Sequence, residues 1–402
     1  MVSPTYAIEL LKRTLEEYTT SRSEAALANL LKEKSINELG FEHATIDNVG
    51  NVIATKGTGR PVILLCGHMD TVPGRIPVRI ANGYLYGRGA SDAKGALIAM
   101  LLAASEFPKQ RGTVIFAGVV DEEGNATGIK ELVKSKSIVD YAIFGEPSGI
   151  SNITIAYKGR FAFRLTCDVG SSAHASAPWL SKNSIEEIYD FWRAIQLEMG
   201  LMDSGKDKSS RVTCSLTEIS GGSSHNVTPQ KCKITVDIRI PTTDSTKRVH
   251  DLVESVMKEI ALKKGVRATY RIEDMTEPFE ADHMSPLVRA LSLSILDVCK
   301  KRPMLVRKTG TGDMNILGNA LKVPVVTYGP GDPHSSHTFD ERISVSEFIS
   351  SIDVFNRSLF HTSRLHHLHS NKIDKNSKFE RLNQTTDFIT RPEQKEKKIY
   401  YL

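Results

Sequence analysis

The chain has 402 residues, 40% of them hydrophobic and 25% charged, with a formal net charge of +5. This length exceeds one small core and predicts two domains. No apolar run reaches the roughly 18–20 residues of a membrane span, and the N-terminus lacks a basic region followed by an apolar one, so neither membrane association nor a secretion signal is expected. The five cysteines (Cys66, Cys167, Cys214, Cys232 and Cys299) form no Cys-x-x-Cys pair. Their scatter argues against a disulfide framework or a thiolate zinc site and for reduced thiols in the cytoplasm. The basic balance reads either as a solvated surface or as attraction to an acidic partner; no nucleic-acid partner is expected.

In chain order, residues 5–31 carry apolar positions at helical spacing (Ala7, Leu10, Leu11, Leu15, then Ala26, Leu27, Leu30) and predict two helices broken near residues 19–22. Residues 41–54 read as two short strands around an Asp47-Asn48-Val49-Gly50-Asn51 turn. The apolar run at 61–65 predicts a buried parallel strand that ends in Cys66-Gly67-His68-Met69-Asp70. Next come Gly87-Arg88-Gly89-Ala90-Ser91-Asp92-Ala93-Lys94-Gly95 and a helix over 96–107, with Ser91 or Asp92 as its expected cap. A strand over 113–120 runs into Asp121-Glu122-Glu123. A helix over 128–137 and a strand over 141–144 then lead to Gly145-Glu146-Pro147. This alternation predicts βαβ units and an open mixed, largely parallel sheet.

After residue 149 the pattern changes to strands within 153–166, a helix over 183–197, strands over 211–219 and 232–240, a helix over 246–263 and a strand over 266–272. That order predicts an α+β module of split βαβ topology, inserted into the first domain, because a strand over 323–327 leads on to His334 and His337 only after it. The expected division is a catalytic domain of residues 1–155 and 274–360, an inserted domain of 156–273, and a tail of 361–402. The tail is too polar to build a core and is expected to be disordered; its histidines could bind metal only loosely.

The functional expectation rests on where these strands deliver their polar residues. Ligands of open α/β sheets sit beyond the carboxyl ends of the strands, and His68, Asp70, Asp92, Glu122, Glu123, Glu146 and His337 all fall at such ends or in the loops after them. Any one of them alone reads as a satisfied or solvated side chain. Together, imidazoles and carboxylates without thiolate point to a catalytic site for zinc, cobalt or manganese rather than a structural zinc site. The acids are too many for one tetrahedral ion, and two ions sharing a bridging carboxylate account for them. In extended chain Glu122 and Glu123 point opposite ways, so one can ligate while the other moves a proton; spacing does not say which. Asp70, two residues from His68, is placed to hold that ring's second nitrogen.

The ordered set His68-Met69-Asp70, residues 89–95, Asp121-Glu122-Glu123-Gly124, Gly145-Glu146-Pro147 and the late His337 resembles the co-catalytic zinc metallopeptidase and deacylase family, over roughly residues 5–360. That family includes acetylornithine deacetylase, succinyl-diaminopimelate desuccinylase, aminoacylase and glutamate carboxypeptidase. The resemblance implies a homodimeric enzyme with two Zn2+ per subunit (Co2+ as an alternative) and an inserted dimerisation or lid domain. It implies Asp92 bridging the ions, His68 and Glu146 on one, Glu123 and His337 on the other, Glu122 as general base and Asp70 orienting His68. His334 rivals His337, whose context His337-Thr338-Phe339-Asp340-Glu341 fits better. By the same resemblance, His174 within residues 172–178 reaches a partner subunit's site and stabilises an oxyanion, and Asn226 and Arg239 contact substrate. Residues 308–315, with Gly310 and Thr311, and residues 328–332 look most like the branch that releases lysine or ornithine from the C-terminal γ-glutamyl group of a small acidic amino-group carrier protein. The backbone of that Gly/Thr-rich loop suits a substrate carboxylate, and Asp313 could meet a distal ammonium. Acetylornithine deacetylase, succinyl-diaminopimelate desuccinylase and carboxypeptidase activities stand as alternatives, and a noncatalytic amino-acid or carrier-binding protein as a different class.

Overall fold

A computed structural model describes residues 2–135, 138–202 and 207–387, the last 19 of these by backbone alone. Its main sheet has nine strands. From one edge they run His43–Ile46, Val52–Thr58, Gly112–Val119, Val62–His68, Tyr141–Phe144, Val325–Thr327 and Asn152–Tyr157, with Phe279–Glu280 and Met304–Lys308 both pairing with the last of these. The centre is parallel, as the continuous apolar runs predict. Val62–His68 lies between Gly112–Val119 and Tyr141–Phe144, with His68 opposite Val119 and Cys66 opposite Phe144. The mixed α/β class with a largely parallel sheet is therefore the observed one.

The first two helices, Pro4–Glu16 and Ala25–Asn37, break where the sequence predicts. The first hairpin is set by Asp47, whose Oδ1 accepts from the N–H groups of Val49, Gly50 and Asn51 at 2.9–3.0 Å. Helix Lys94–Ser105 is buried along its whole length, because nearly every residue in it is Ala, Leu, Ile or Met. It passes so close beneath the strand ends that a Cβ on Gly145 would lie 2.2 Å from Met100 Cε. The expected side-chain cap on this helix is absent. Its N-cap is Ala93, Ser91 Oγ donates instead to the Asp332 carbonyl (3.0 Å), and Asp92 faces two imidazoles, because both side chains meet stronger partners across the loop.

The second sheet is antiparallel, in the order Thr213–Gly221, Lys231–Ile240, Gly159–Asp168, Arg267–Thr276. Helices Ser184–Met202 and Thr246–Lys264 cover one face and share a core of Phe161, Phe163, Leu165, Phe191, Val236 and Val249. This is the βαββαβ order expected of a split βαβ module. Sheet membership changes at Lys158, between Asn152–Tyr157 in the main sheet and Gly159–Asp168 in the second, and again between Thr276 and Phe279. The strands within 153–166 thus serve two sheets.

Three short strands escape sequence patterning: Arg79–Ala81, Tyr84–Tyr86 and Arg342–Ser344 form a separate small sheet. The last helix, Val345–Asp387, enters the stretch expected to be a disordered tail; Thr362 and Ser363 are buried there, and Ser363 Oγ donates to the Arg111 carbonyl at 2.6 Å. Residues 388–402 of that tail and the last two residues of the helix expected over 128–137 lie outside the described residues. Among the described residues no helix is long and apolar enough to cross a membrane.

Phe191 is fully buried between its helix and the second sheet. Phe191→Ala should destabilise that unit by about 3–5 kcal/mol, read as earlier unfolding in denaturant; an unchanged midpoint would show that this core does not limit stability.

Candidate metal centre

Strand register brings the predicted residues to one edge. His68 ends its strand, Glu146 lies two residues beyond Phe144, and the loop before helix Lys94–Ser105 carries Asp92. The fully buried His68 ring places Nε2 3.4 Å from both Asp92 Oδ1 and Glu146 Oε1. On the other side of Asp92, His337 Nε2 lies 3.3 Å from Asp92 Oδ2 and 2.8 Å from Glu123 Oε1. Two donor groups result, His68 with Asp92 and Glu146, and Asp92 with Glu123 and His337, and they share Asp92. His334 joins neither. Its backbone N–H donates to Asp332 Oδ1 (2.9 Å), and it lines a neighbouring cleft.

A divalent cation fits these groups. His68 Nε2 is buried without a hydrogen-bond partner, although it points at two carboxylates. Burial alone would hold His68 neutral, but Asp70, Asp92 and Glu146 push its pKa well above the ordinary value. A field that draws a proton onto that ring also favours a metal ion. Burial opposes ionisation of Asp92 too, yet His337 and His68 hold its carboxyl below the usual range. Glu122 belongs to neither donor group. Burial, reinforced by Asp313, Glu146 and Glu123, raises its carboxyl well above the usual value.

Asp70 is a bracket rather than a simple partner of His68. Its backbone carbonyl, not its carboxylate, lies at hydrogen-bond distance from His68 Nδ1 (2.9 Å); the nearer carboxylate oxygen is 3.6 Å away. The carboxylate accepts from Ser21 Oγ (2.7 Å) and from the N–H groups of Glu122 (3.1 Å) and Glu123 (3.0 Å). Both N–H groups can face one carboxylate because residues 122–125 form a turn, not extended chain, after Asp121 in a left-handed conformation (φ 62°). The expectation of extended chain here is corrected accordingly, while the side chains still part, Glu123 to His337 and Glu122 toward Gly312 and Asp313.

Glu341 and Arg88, to which the sequence reading gave no role, brace the other side. Glu341 is 1% exposed; its Oε1 accepts from the N–H groups of Ser91 (3.1 Å) and Asp92 (3.0 Å), while its Oε2 meets Arg88 Nη1 at 2.8 Å. The acidic residue four positions after His337 was the available signal.

Arg239 and Thr311 are brought together, Nη1 to Oγ1 at 3.2 Å, and both line a cavity of about 340 Å3 with Glu122 and Glu123. Gly310 lines a larger cavity of about 840 Å3 that also reaches Asp92 and Glu146. His174 and Asn226 stand apart. Their loops are stitched by Ala175 N–H to the Asn226 carbonyl (2.8 Å), both are exposed, and neither lines the clefts at the centre.

The description of peptidase family M20/M25/M40 matches residues 64–361. A Pyrococcus furiosus protein is 36% identical over 365 residues, covering 90% of this chain and 99% of its own. A Saccharolobus solfataricus protein is 34% identical over 349 residues, covering 87% and 94%. Both bear the designation LysW-lysine/LysW-ornithine hydrolase. Among solved structures, a dinuclear metal-binding M20 peptidase of Bacillus subtilis superposes with a TM-score of 0.69 at 15% identity, over 89% of this chain and 98% of that one.

His337 sets a pH dependence. Hydrogen bonds to Asp92 and Glu123 raise its pKa to about 10. Because that value lies above imidazole's ordinary one, the pairing stabilises the metal-free chain fully below about pH 6.5 and is lost as pH rises toward about 10. A metal ion needs the neutral ring, so its affinity should climb over the same interval with proton release. Calorimetry in buffers of different ionisation enthalpy checks this; pH-independent affinity would contradict it.

Proposed function

Since the chain belongs to peptidase family M20/M25/M40 and is a metal-dependent hydrolase of amide bonds, we propose that it is a two-zinc enzyme that releases lysine or ornithine from the C-terminal γ-glutamyl group of a small acidic amino-group carrier protein. The observation that carries the reading is the pair of donor groups sharing Asp92, with the Glu122 carboxyl beside them but outside both. The names of the Pyrococcus and Saccharolobus relatives support the substrate.

His68, Asp92 and Glu146 would hold one ion and Asp92, Glu123 and His337 the other, with zinc first and cobalt as a substitute. Such a pair polarises an amide carbonyl and lowers the pKa of a nearby water. Glu122 takes the proton of the attacking water and returns it to the leaving amine. Its N–H is fixed by Asp70, and Gly312 leaves its carboxyl room, since a Cβ there would lie 3.1 Å from Glu122 Oε1. Arg239 and the loop at Gly310 and Thr311 bind and orient the substrate's carboxylates. His174 and Asn226, exposed on the α+β unit, act in the active site of a second copy, where His174 donates to the oxyanion. The enzyme accordingly works as a homodimer, and its five unpaired cysteines suit a cytoplasmic setting.

The test is turnover by zinc- or cobalt-loaded protein on carrier protein ending in γ-glutamyl-lysine or γ-glutamyl-ornithine, on N-acetylornithine and on N-succinyl-diaminopimelate. Release from the carrier alone supports the reading, and turnover of only the free acyl amino acids overturns the carrier assignment. Glu122→Gln should lower kcat by at least about a hundredfold with metal content unchanged. Retained activity would remove Glu122 as the base.

A further inference from the structure

The scissile amide has an acyl side and an amine side, and two clefts meet at the metal centre, one of about 340 Å3 and one of about 840 Å3. We propose that the smaller cavity receives the leaving amino acid, and that Asp274, with Glu273 beside it, binds that amino acid's side-chain ammonium while Arg239 takes its carboxylate. This rests on the hydrolase reading above and adds what sets its preference for a basic amino acid.

One wall of the cavity is the face of the second sheet that its helices leave uncovered. Arg160, Arg239 and Asp274 occupy that face, since Arg239 pairs opposite Arg160 and Asp274 opposite Ala162, two positions along the same strand. Asp274 is there because of a β-bulge. The register of strand Arg267–Thr276 against Gly159–Asp168 shifts between Ile272 and Asp274. If the strand kept its regular register through residue 273, Asp274 would stand opposite Phe161 and turn into the helix-covered layer. The adjacent Glu273 lines the same cavity and is paired with Arg271 at 2.8 Å.

The bonding leaves Asp274 open to a second cation. Arg160 holds Asp237 at 2.7 Å through Nε and Asp274 Oδ2 only at 3.3 Å through Nη1, Asp274 Oδ1 accepts from the neutral Thr276 hydroxyl at 2.9 Å, and Arg239 is itself tied to Asp237 at 2.6 Å. Deeper in the same lining, Asp313 is 2% exposed and its Oδ2 has no hydrogen-bond partner. Lys130, the remaining cation of the lining, donates to the Asn125 carbonyl. A cavity with a guanidinium pair at one side, a weakly held carboxylate across the strands and an unpaired acid in its floor matches a molecule with one carboxylate and one distal ammonium. An apolar amino acid would leave the acids unmatched.

Calorimetry of the metal-loaded enzyme with lysine, ornithine and norleucine tests this. Norleucine has lysine's carbon skeleton without the ammonium. Wild type should bind lysine and ornithine roughly tenfold or more tighter than norleucine, the scale of one charge-assisted hydrogen bond. Asp274→Asn should shrink that ratio to about threefold or less, leave norleucine affinity unchanged, and regain the ratio as Asp274→Glu. Equal wild-type affinities, an unchanged ratio in Asp274→Asn, or an equal loss for all three ligands would overturn the subsite. Carrier hydrolysis is scored separately. Turnover of the carrier with no lysine preference removes the subsite and keeps the function, whereas a lysine preference with no carrier turnover does the reverse.

Discussion

The architecture is governed by negative charge gathered in one place. Asp70, Asp92, Glu122, Glu123, Glu146 and Asp313 converge on two imidazoles at the carboxyl edge of the central strands. Carboxylates packed this closely repel one another and lose hydration. The chain offsets this first with backbone donors: Asp70 collects two N–H groups from the turn that bears Glu122 and Glu123, and Glu341 collects two from the loop that bears Asp92. Of these two supports Glu341 also has a buried guanidinium, Arg88. Asp92, Glu123 and Glu146 have imidazoles instead, and His68 Nε2 remains without a hydrogen bond between Asp92 and Glu146. The scaffold neutralises its supports and leaves its ligand set in electrostatic deficit, which is the condition for holding dications.

The second constraint is mechanical. The α+β unit joins the main sheet through two crossings, and one side chain grips both. Asn315, fully buried in helix Asp313–Leu321, donates through Nδ2 to the carbonyls of Lys158 (3.1 Å) and Glu277 (2.8 Å). Thr311 Oγ1 donates to the same Lys158 carbonyl at 2.7 Å. The segment that ties down the crossings is thus the one whose Gly312 faces Glu122 and whose Thr311 meets Arg239. The position of the second sheet over the cleft is set within a few residues of the general-base candidate, so substrate-contacting and proton-moving groups share one reference point.

Much of this was legible in the sequence because strand ends obey a simple rule. An apolar run that stops at Gly-His or Gly-Glu announces a parallel strand and the residue it delivers, and His68 and Glu146 follow it. His337 was separable from His334 only through a resemblance in its flanking residues, and its geometry depends on a left-handed backbone (φ 62°) that no periodicity encodes. Local rules failed where long-range partners won. Ser91 and Asp92 look like helix caps, yet their side chains are claimed from across the fold. Glu122 and Glu123 look like strand neighbours, but Asp121 bends them into a turn. Arg88 and Glu341, 253 positions apart, carried no local signature of their pairing. The polarity of the final segment concealed that its first turns bury Thr362 and Ser363.

Net charge was the least informative reading. A formal +5 describes the chain as a whole, while the centre it encloses is strongly anionic, because long-range summation averages over groups that local dielectric keeps distinct. The two levels answer different questions. The chain-wide charge bears on encounter with an acidic partner; the local field bears on metal ions and on the ammonium of a leaving amine. The division repeats in the fold. The reacting groups hang from the parallel sheet, where register fixes them against a fully buried helix. The groups that face the departing amino acid hang from an antiparallel sheet, where a single bulge decides which side chains face the cleft. The acids that this sheet presents to the cleft lie apart from every candidate metal ligand. A fold arranged in this way can keep its chemistry while its substrate preference changes.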